Sequence, residues 1–252
     1  MIAELKRNAI EKREIYSFAS IVKTCEFTTI GMKTVFLFLC TFLTAFLSYG
    51  LSFVLQGTNA KPKIFFTLFI FSFVTQIYLL FKLSSNEVKK HKKIVIIFAL
   101  LQGISIGEIV FVLNKYYSNV FSMILLAFLT VGILFMVSHF LYSTNLIKVN
   151  QKFQLCFTAA SITFFFILLF SKFIQLSHFI LIPITLFGLV LGCMMIFSDL
   201  KNAEFIVANK LSKEYEWTVA FGFHMTFIFL FMQIIRLLLL LGFFQERNNG
   251  EQ

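Results

Sequence analysis

Apolar residues fill this chain in long unbroken blocks, not at alternating positions or on single helical stripes. Seven blocks lie near residues 34–56, 64–83, 94–114, 120–142, 153–174, 178–198 and 217–244. Each is close to the roughly 20 residues that a helix needs to cross a hydrocarbon core of about 30 Å. Lipid offers backbone N–H and C=O groups no partners, so each block is predicted to be a closed helix. The expected fold class is therefore an all-α integral membrane protein with seven transmembrane helices. Residues 1–33 read as a cytoplasmic N-terminal segment, 34–245 as the membrane domain and 246–252 as a short outside tail. The links between blocks are too short to hold a soluble domain.

Composition narrows the class. The chain is 59% hydrophobic and 13% charged, against about 45–50% and about 25% for soluble domains. Soluble globules, disordered chains and coiled coils are excluded. The net charge of +10 raises nucleic acid as a partner, but the basic residues stand in short groups beside apolar blocks. One set of alternate links carries Lys6, Arg7, Lys12, Arg13, Lys23, Lys33, Lys82, Lys89, Lys90, Lys92, Lys93, Lys148, Lys152, Lys201, Lys210 and Lys213. The other set holds only Lys61, Lys63, Lys115, Lys172 and Arg247. That asymmetry predicts an N-terminus inside and a C-terminus outside, with the bilayer and not nucleic acid as the partner. Abundant Phe and Lys fit an AT-rich bacterial genome, hence a bacterial cytoplasmic (inner) membrane. Cys25, Cys40, Cys156 and Cys193 have no ligand or disulfide spacing and read as apolar thiols.

Ionisable groups inside a membrane are costly, so each is a candidate for function. The set is Glu108, His139, Asp199, His224 and Arg236. At a rise of about 1.5 Å per residue, Glu108 and Arg236 reach the outer part of the membrane. They are expected to pair as an outer latch, directly or through Gln233. Asp199, His224 and His139 gather in the inner half with Thr226 not far above them, and with Gln233 they are the candidates for a proton or cation path. Gly222, Thr226, Gln233 and Arg236 recur on one face of the last helix. Gly103 and Gly107 form a GxxxG pair suited to close helix approach. No nucleophile, metal-hydrolase or phosphate-cradle motif is found, so no enzyme is expected.

Several segments resemble a known family. His139-Phe-Leu-Tyr-Ser-Thr-Asn-Leu-Ile-Lys-Val-Asn-Gln-Lys-Phe153 is similar to the "YKTGLIKVTxKF" link of the longer bacterial Bax inhibitor/YccA-type proteins. Ala99-Leu-Leu-Gln-Gly-Ile-Ser-Ile-Gly107 resembles their "ALLEGxxLG" pattern. Glu216-Trp217, Ala220-Phe221-Gly222 and Ile234-Ile235-Arg236-Leu237-Leu238 resemble their final "EWYAAFG…EILRLL" helix. Asp199 matches an aspartate that ends the sixth span.

The resemblance implies a transmembrane Bax inhibitor motif bundle, in which a central helix is wrapped by six others. It also implies a pH-sensitive calcium leak governed by two aspartates that share a proton. Only Asp199 of that pair is present. Thr226 stands at the second position, and Gln102 and Gln233 replace two further acids, while Glu108 is additional. Gln102, Gly103, Glu216, Trp217 and Gly222 are matched positions without an assigned role. On this reading Ca²⁺ is a permeant ion, there is no resident cofactor, and Asp199 is the one candidate metal ligand. The alternative is an interaction protein that modulates a membrane protease or a stress response without transport. Oligomeric state stays open.

Overall fold

The computed structural model describes residues 25–54, 61–85, 88–144, 146–173 and 178–241. Most of the N-terminal segment (1–24) and the tail 246–252 lie outside the described residues. Among those described there are seven helices and no strand: α1 (Phe27–Val54), α2 (Lys61–Ser85), α3 (Val88–Tyr116), α4 (Val120–Ser143), α5 (Gln151–Phe173), α6 (His178–Ala208) and α7 (Tyr215–Leu240). Six of them are long and apolar enough to cross a membrane; the described apolar stretch of α2, Ile70–Leu83, is shorter. Large side chains such as Phe46, Phe81, Met136 and Leu155 are more than 70% exposed. In water that would be ruinous; in a membrane it is the lipid-facing surface.

Helices outrun the predicted spans because hydropathy marks bilayer crossing, not the end of hydrogen bonding. α1 begins at Phe27, so Lys33 lies inside it instead of ending the preceding segment. α3 likewise takes in Lys89, Lys90, Lys92 and Lys93, and α6 continues ten residues beyond 198. At 31 residues, α6 is about 46 Å long at the standard rise. It therefore extends past a hydrocarbon core of about 30 Å.

α7 is the most enclosed helix and packs against α1, α3, α4 and α6. α2 lies outside, against α3, and α5 lies against α6. Phe164 of α5 reaches inward to stack edge-on against Phe229 of α7. Four helices thus flank α7 directly and two form an outer layer. The closest pair is α1 with α3, because small residues line both faces. Thr41, Thr44, Ala45 and Ser48 of α1 meet Ala99, Gly103 and Gly107 of α3. Without a hydrophobic drive between helices in lipid, such close backbone contact supplies the attraction.

Two apolar clusters stack along the bundle. One holds Val95, Phe98, Ala203, Ala220 and Phe221 toward the Cys25 end. The other holds Ile106, Met123, Ile196, Leu230 and Ile234 toward the opposite end.

Candidate functional site

The last two helices meet through a chain of small residues. A methyl group built on Gly192 would lie 2.3 Å from Leu230, and one on Gly188 would lie 2.8 Å from Phe164 and 3.0 Å from Gln233. At Gly222 the neighbour is Asp199, whose Oδ1 would lie 2.9 Å from an added Cβ. The missing side chain at Gly222 therefore admits the carboxyl of Asp199 against α7. One turn on, Thr226 Oγ1 donates a 2.6 Å hydrogen bond to Asp199 Oδ2. Beside this pair a cleft of about 240 Å³ is lined by Asp199, Asn202, Phe205, Ile206, Tyr215, Thr218, Val219 and Gly222.

His224 belongs to the other side of α7. It is fully buried, and its Nε2 lies 2.8 Å from Thr41 Oγ1 of α1. The Thr41 hydroxyl also lies 3.0 Å from the Leu37 carbonyl and 3.1 Å from the Ala99 carbonyl. Its single hydrogen satisfies a carbonyl when the imidazole is neutral with its proton on Nε2, donating to Thr41. This tautomer is assigned from the network. It leaves Nδ1 without a partner among the described residues, as a bare lone pair, which is less costly than a stranded N–H. His139 is exposed on α4, so the expected inner cluster is not formed. Asp199 meets Thr226, His224 meets Thr41, and His139 meets neither. The cause is helical geometry: residues 222 and 226 share a face, and residue 224 points about 200° away.

The expected outer latch is also not formed. Glu108 is buried, and its partner is Ser48 of α1, whose Oγ donates at 3.4 Å to Oε1. Arg236 is half-buried and makes no ion pair among the described residues. Equal depth along two helices does not bring side chains together; rotation about each axis decides it. Gln233 is buried against Gly188, with Oε1 unpartnered among the described residues. Gln102 is half-buried on α3, while Gly103 next to it lies against Thr41 and Thr44.

The most connected charged group is one to which the sequence alone assigns no role. Glu216 is fully buried at the start of α7. Its Oε1 accepts from Thr29 Oγ1 at 2.5 Å and from the Glu26 N–H at 3.0 Å; its Oε2 accepts from Lys33 Nζ at 2.5 Å. Lys33 also donates to the Lys213 carbonyl at 3.3 Å and stands 4.9 Å from the centre of the Trp217 ring. Cys25 N–H donates to the Leu211 carbonyl, and its Sγ lies 3.1 Å from the Ser212 carbonyl. Burial holds that thiol above the ordinary thiol range. These contacts clamp the start of α1 to the α6–α7 turn. The sequence signal is an acid at the start of the last apolar block and a lysine at the start of the first. Nothing in the linear order says that those two starts touch.

Among the described residues no three His, Cys, Asp or Glu side chains converge to hold a metal ion. Ca²⁺ takes six to eight oxygen ligands, and at Asp199 the chain offers one carboxylate and one hydroxyl. A resident calcium site does not fit these residues.

No curated protein matches the chain. The family profile described as Bax inhibitor 1 like matches it over residues 8–242. That match spans all seven helices, including Asp199, Glu216 and Gly222, and with six long apolar helices it makes the protein a multi-pass membrane protein. The chain belongs to the Bax inhibitor 1 like family.

Proposed function

We propose that this protein is a slow, proton-modulated cation leak, with Ca²⁺ as its reference ion, closed in this conformation. The observation that carries the reading is the Thr226–Asp199 hydrogen bond at the head of the cleft between α6 and α7. Below it the cleft runs past Asn202, Tyr215 and Thr218. Above it Leu230 fills the space over Gly192 and the apolar cluster seals the bundle. With its proton, Asp199 is neutral and the seam stays dry. Without it, a carboxylate in a low-dielectric seam draws water and a cation toward itself. Flux is therefore expected to rise as pH rises.

The basic residues near the Cys25 end favour that end as the inner one under the positive-inside rule. The cleft then opens to the cytoplasm of a bacterial inner membrane. Asp199→Asn keeps an amide oxygen that can accept from Thr226 but never ionises. Ca²⁺ flux into proteoliposomes, followed from about pH 6 to pH 8 across the histidine range, should rise in wild type and stay low and flat in Asp199→Asn. A wild type no leakier than empty liposomes at any pH, with helical protein confirmed, would overturn the reading.

A further inference from the structure

A second buried polar cluster lies away from Asp199, where α1, α2 and α3 meet in the outer half. Ser48, Ser52, Ser72, Gln76, Ser105 and Glu108 are each at most 9% exposed. Ser72 donates to the Leu101 carbonyl at 2.9 Å and lies 3.2 Å from Ser105 Oγ; Gln76 Nε2 donates to Ser105 Oγ at 3.2 Å. That part of the cluster is satisfied by itself.

The Glu108 part is not. Ser48 has one hydroxyl hydrogen and two acceptors, the Ile104 carbonyl and Glu108 Oε1, both at 3.4 Å. One helical turn further along the same face of α1, the Ser52 hydroxyl is fully buried and has no partner among the described residues. Glu108 itself is 6% exposed. Among the described residues no cation pairs with it. α1 brings Ser48, Ser52 and Tyr49, whose hydroxyl accepts from Asn114 at 3.0 Å. The described α2 side chains bring Ser72 and Gln76, and Arg236, the charge on α7 nearest this depth, makes no ion pair with it. An ionised carboxylate with one long hydrogen bond and no counter-charge is strongly disfavoured in such a place.

One added hydrogen resolves the arithmetic. A proton on Glu108 donates to Ser48 Oγ and frees the Ser48 hydrogen for the Ile104 carbonyl. We propose that Glu108 and Ser48 form a proton-binding site in the α1–α3 seam, in which a proton held by Glu108 closes the seam on the outer side. The site is separate from Asp199 and stands whether or not the chain conducts. Loss of the proton sets a bare carboxylate in the tightest seam of the bundle, where the Ala45 carbonyl would lie 2.4 Å from a methyl built on Gly107. The seam must then open or admit water.

Dicyclohexylcarbodiimide, an apolar reagent that adds only to protonated carboxyl groups, tests the site directly. The full-length protein in phosphatidylcholine vesicles is treated between about pH 6 and pH 9 and the peptide carrying Glu108 is read by mass spectrometry. Labelling of Glu108 is expected at the acid end, falling at least tenfold toward the alkaline end as the protonated fraction declines. It should be unchanged when choline chloride is replaced by NaCl or CaCl₂ at equal ionic strength, and absent from Glu108→Gln. Protection by Na⁺ or Ca²⁺ would show a metal-cation site and overturn the assignment. So would absence of label at every pH in protein whose helical circular dichroism is intact. Reading the Asp199 peptide in the same digest keeps the two carboxyls apart.

Discussion

Lys33→Met is expected to be the most destabilising loss of a single charged side chain in the bundle, at about 3–5 kcal/mol. The reason is asymmetric burial. Lys33 keeps 17% of its side chain exposed, while Glu216 has none. Deprived of Glu216, the lysine can turn its ammonium toward water along the Trp217 ring. Deprived of Lys33, the Glu216 carboxylate cannot leave, and only Thr29 and the Glu26 N–H remain to hold it. Glu216→Ala should therefore cost less, about 1–3 kcal/mol. The double variant Lys33→Met/Glu216→Met should recover much of the loss, since an apolar pair of similar volume needs no solvation. Unfolding by sodium dodecyl sulfate titration, followed by helical circular dichroism, measures all three. Costs that simply add in the double variant would show that the two groups do not act as a pair.

The second large effect comes from the α1–α3 seam. An alanine methyl at Gly107 would lie 2.4 Å from the Ala45 carbonyl oxygen, and one at Gly103 would lie 2.3 Å from that of Thr41. These are backbone atoms, so no side-chain rotation relieves the clash and the helices must move apart. Gly107→Ala or Gly103→Ala is expected to cost about 1–3 kcal/mol as overpacking, plus the Thr41–Ala99 and Ser48–Ile104 hydrogen bonds if the seam opens. Gly132 in α4 has nothing within 4 Å of an added methyl. There the same substitution should stabilise by about 0.5–1 kcal/mol, because glycine weakens a helix interior. The same titration decides it. Equal effects at Gly107 and Gly132 would mean that the seam is not closely packed.

The fold is readable in the sequence wherever hydrophobicity alone decides it. Apolar blocks predict a helix at each of the seven places where one is found, and Gly103 and Gly107 announce a close approach. Helix ends are less legible, since Lys33 and the lysines of α3 look like boundaries yet continue a helix that a buried carboxylate or the aqueous surface accommodates. The stripe on α7 is legible as a face: Gly222 and Thr226 do meet Asp199 on α6, and Gln233 meets Gly188. Pairings across helices are not legible. Depth counts put Glu108 beside Arg236 and His224 beside Asp199, but depth is one coordinate of two. The angle around each helix axis sends Glu108 to Ser48 and His224 to Thr41. Glu216 is recognisable by its resemblance but its role is not, because the meeting of the first and last helices is a fact of tertiary structure only.

These placements give Asp199 and Glu108 opposite addresses. Asp199 lies toward the Cys25 end, at the head of the cleft, and Glu108 toward the far end, in the α1–α3 seam. The most direct test of the leak is Ca²⁺ flux in vesicles holding the protein in a single orientation, with the pH raised on one side at a time. Flux should rise when the pH is raised on the Asp199 side alone, and Asp199→Asn should abolish the rise. Flux that follows only the pH of the Glu108 side, or that keeps its pH response in Asp199→Asn, would contradict the leak at Asp199.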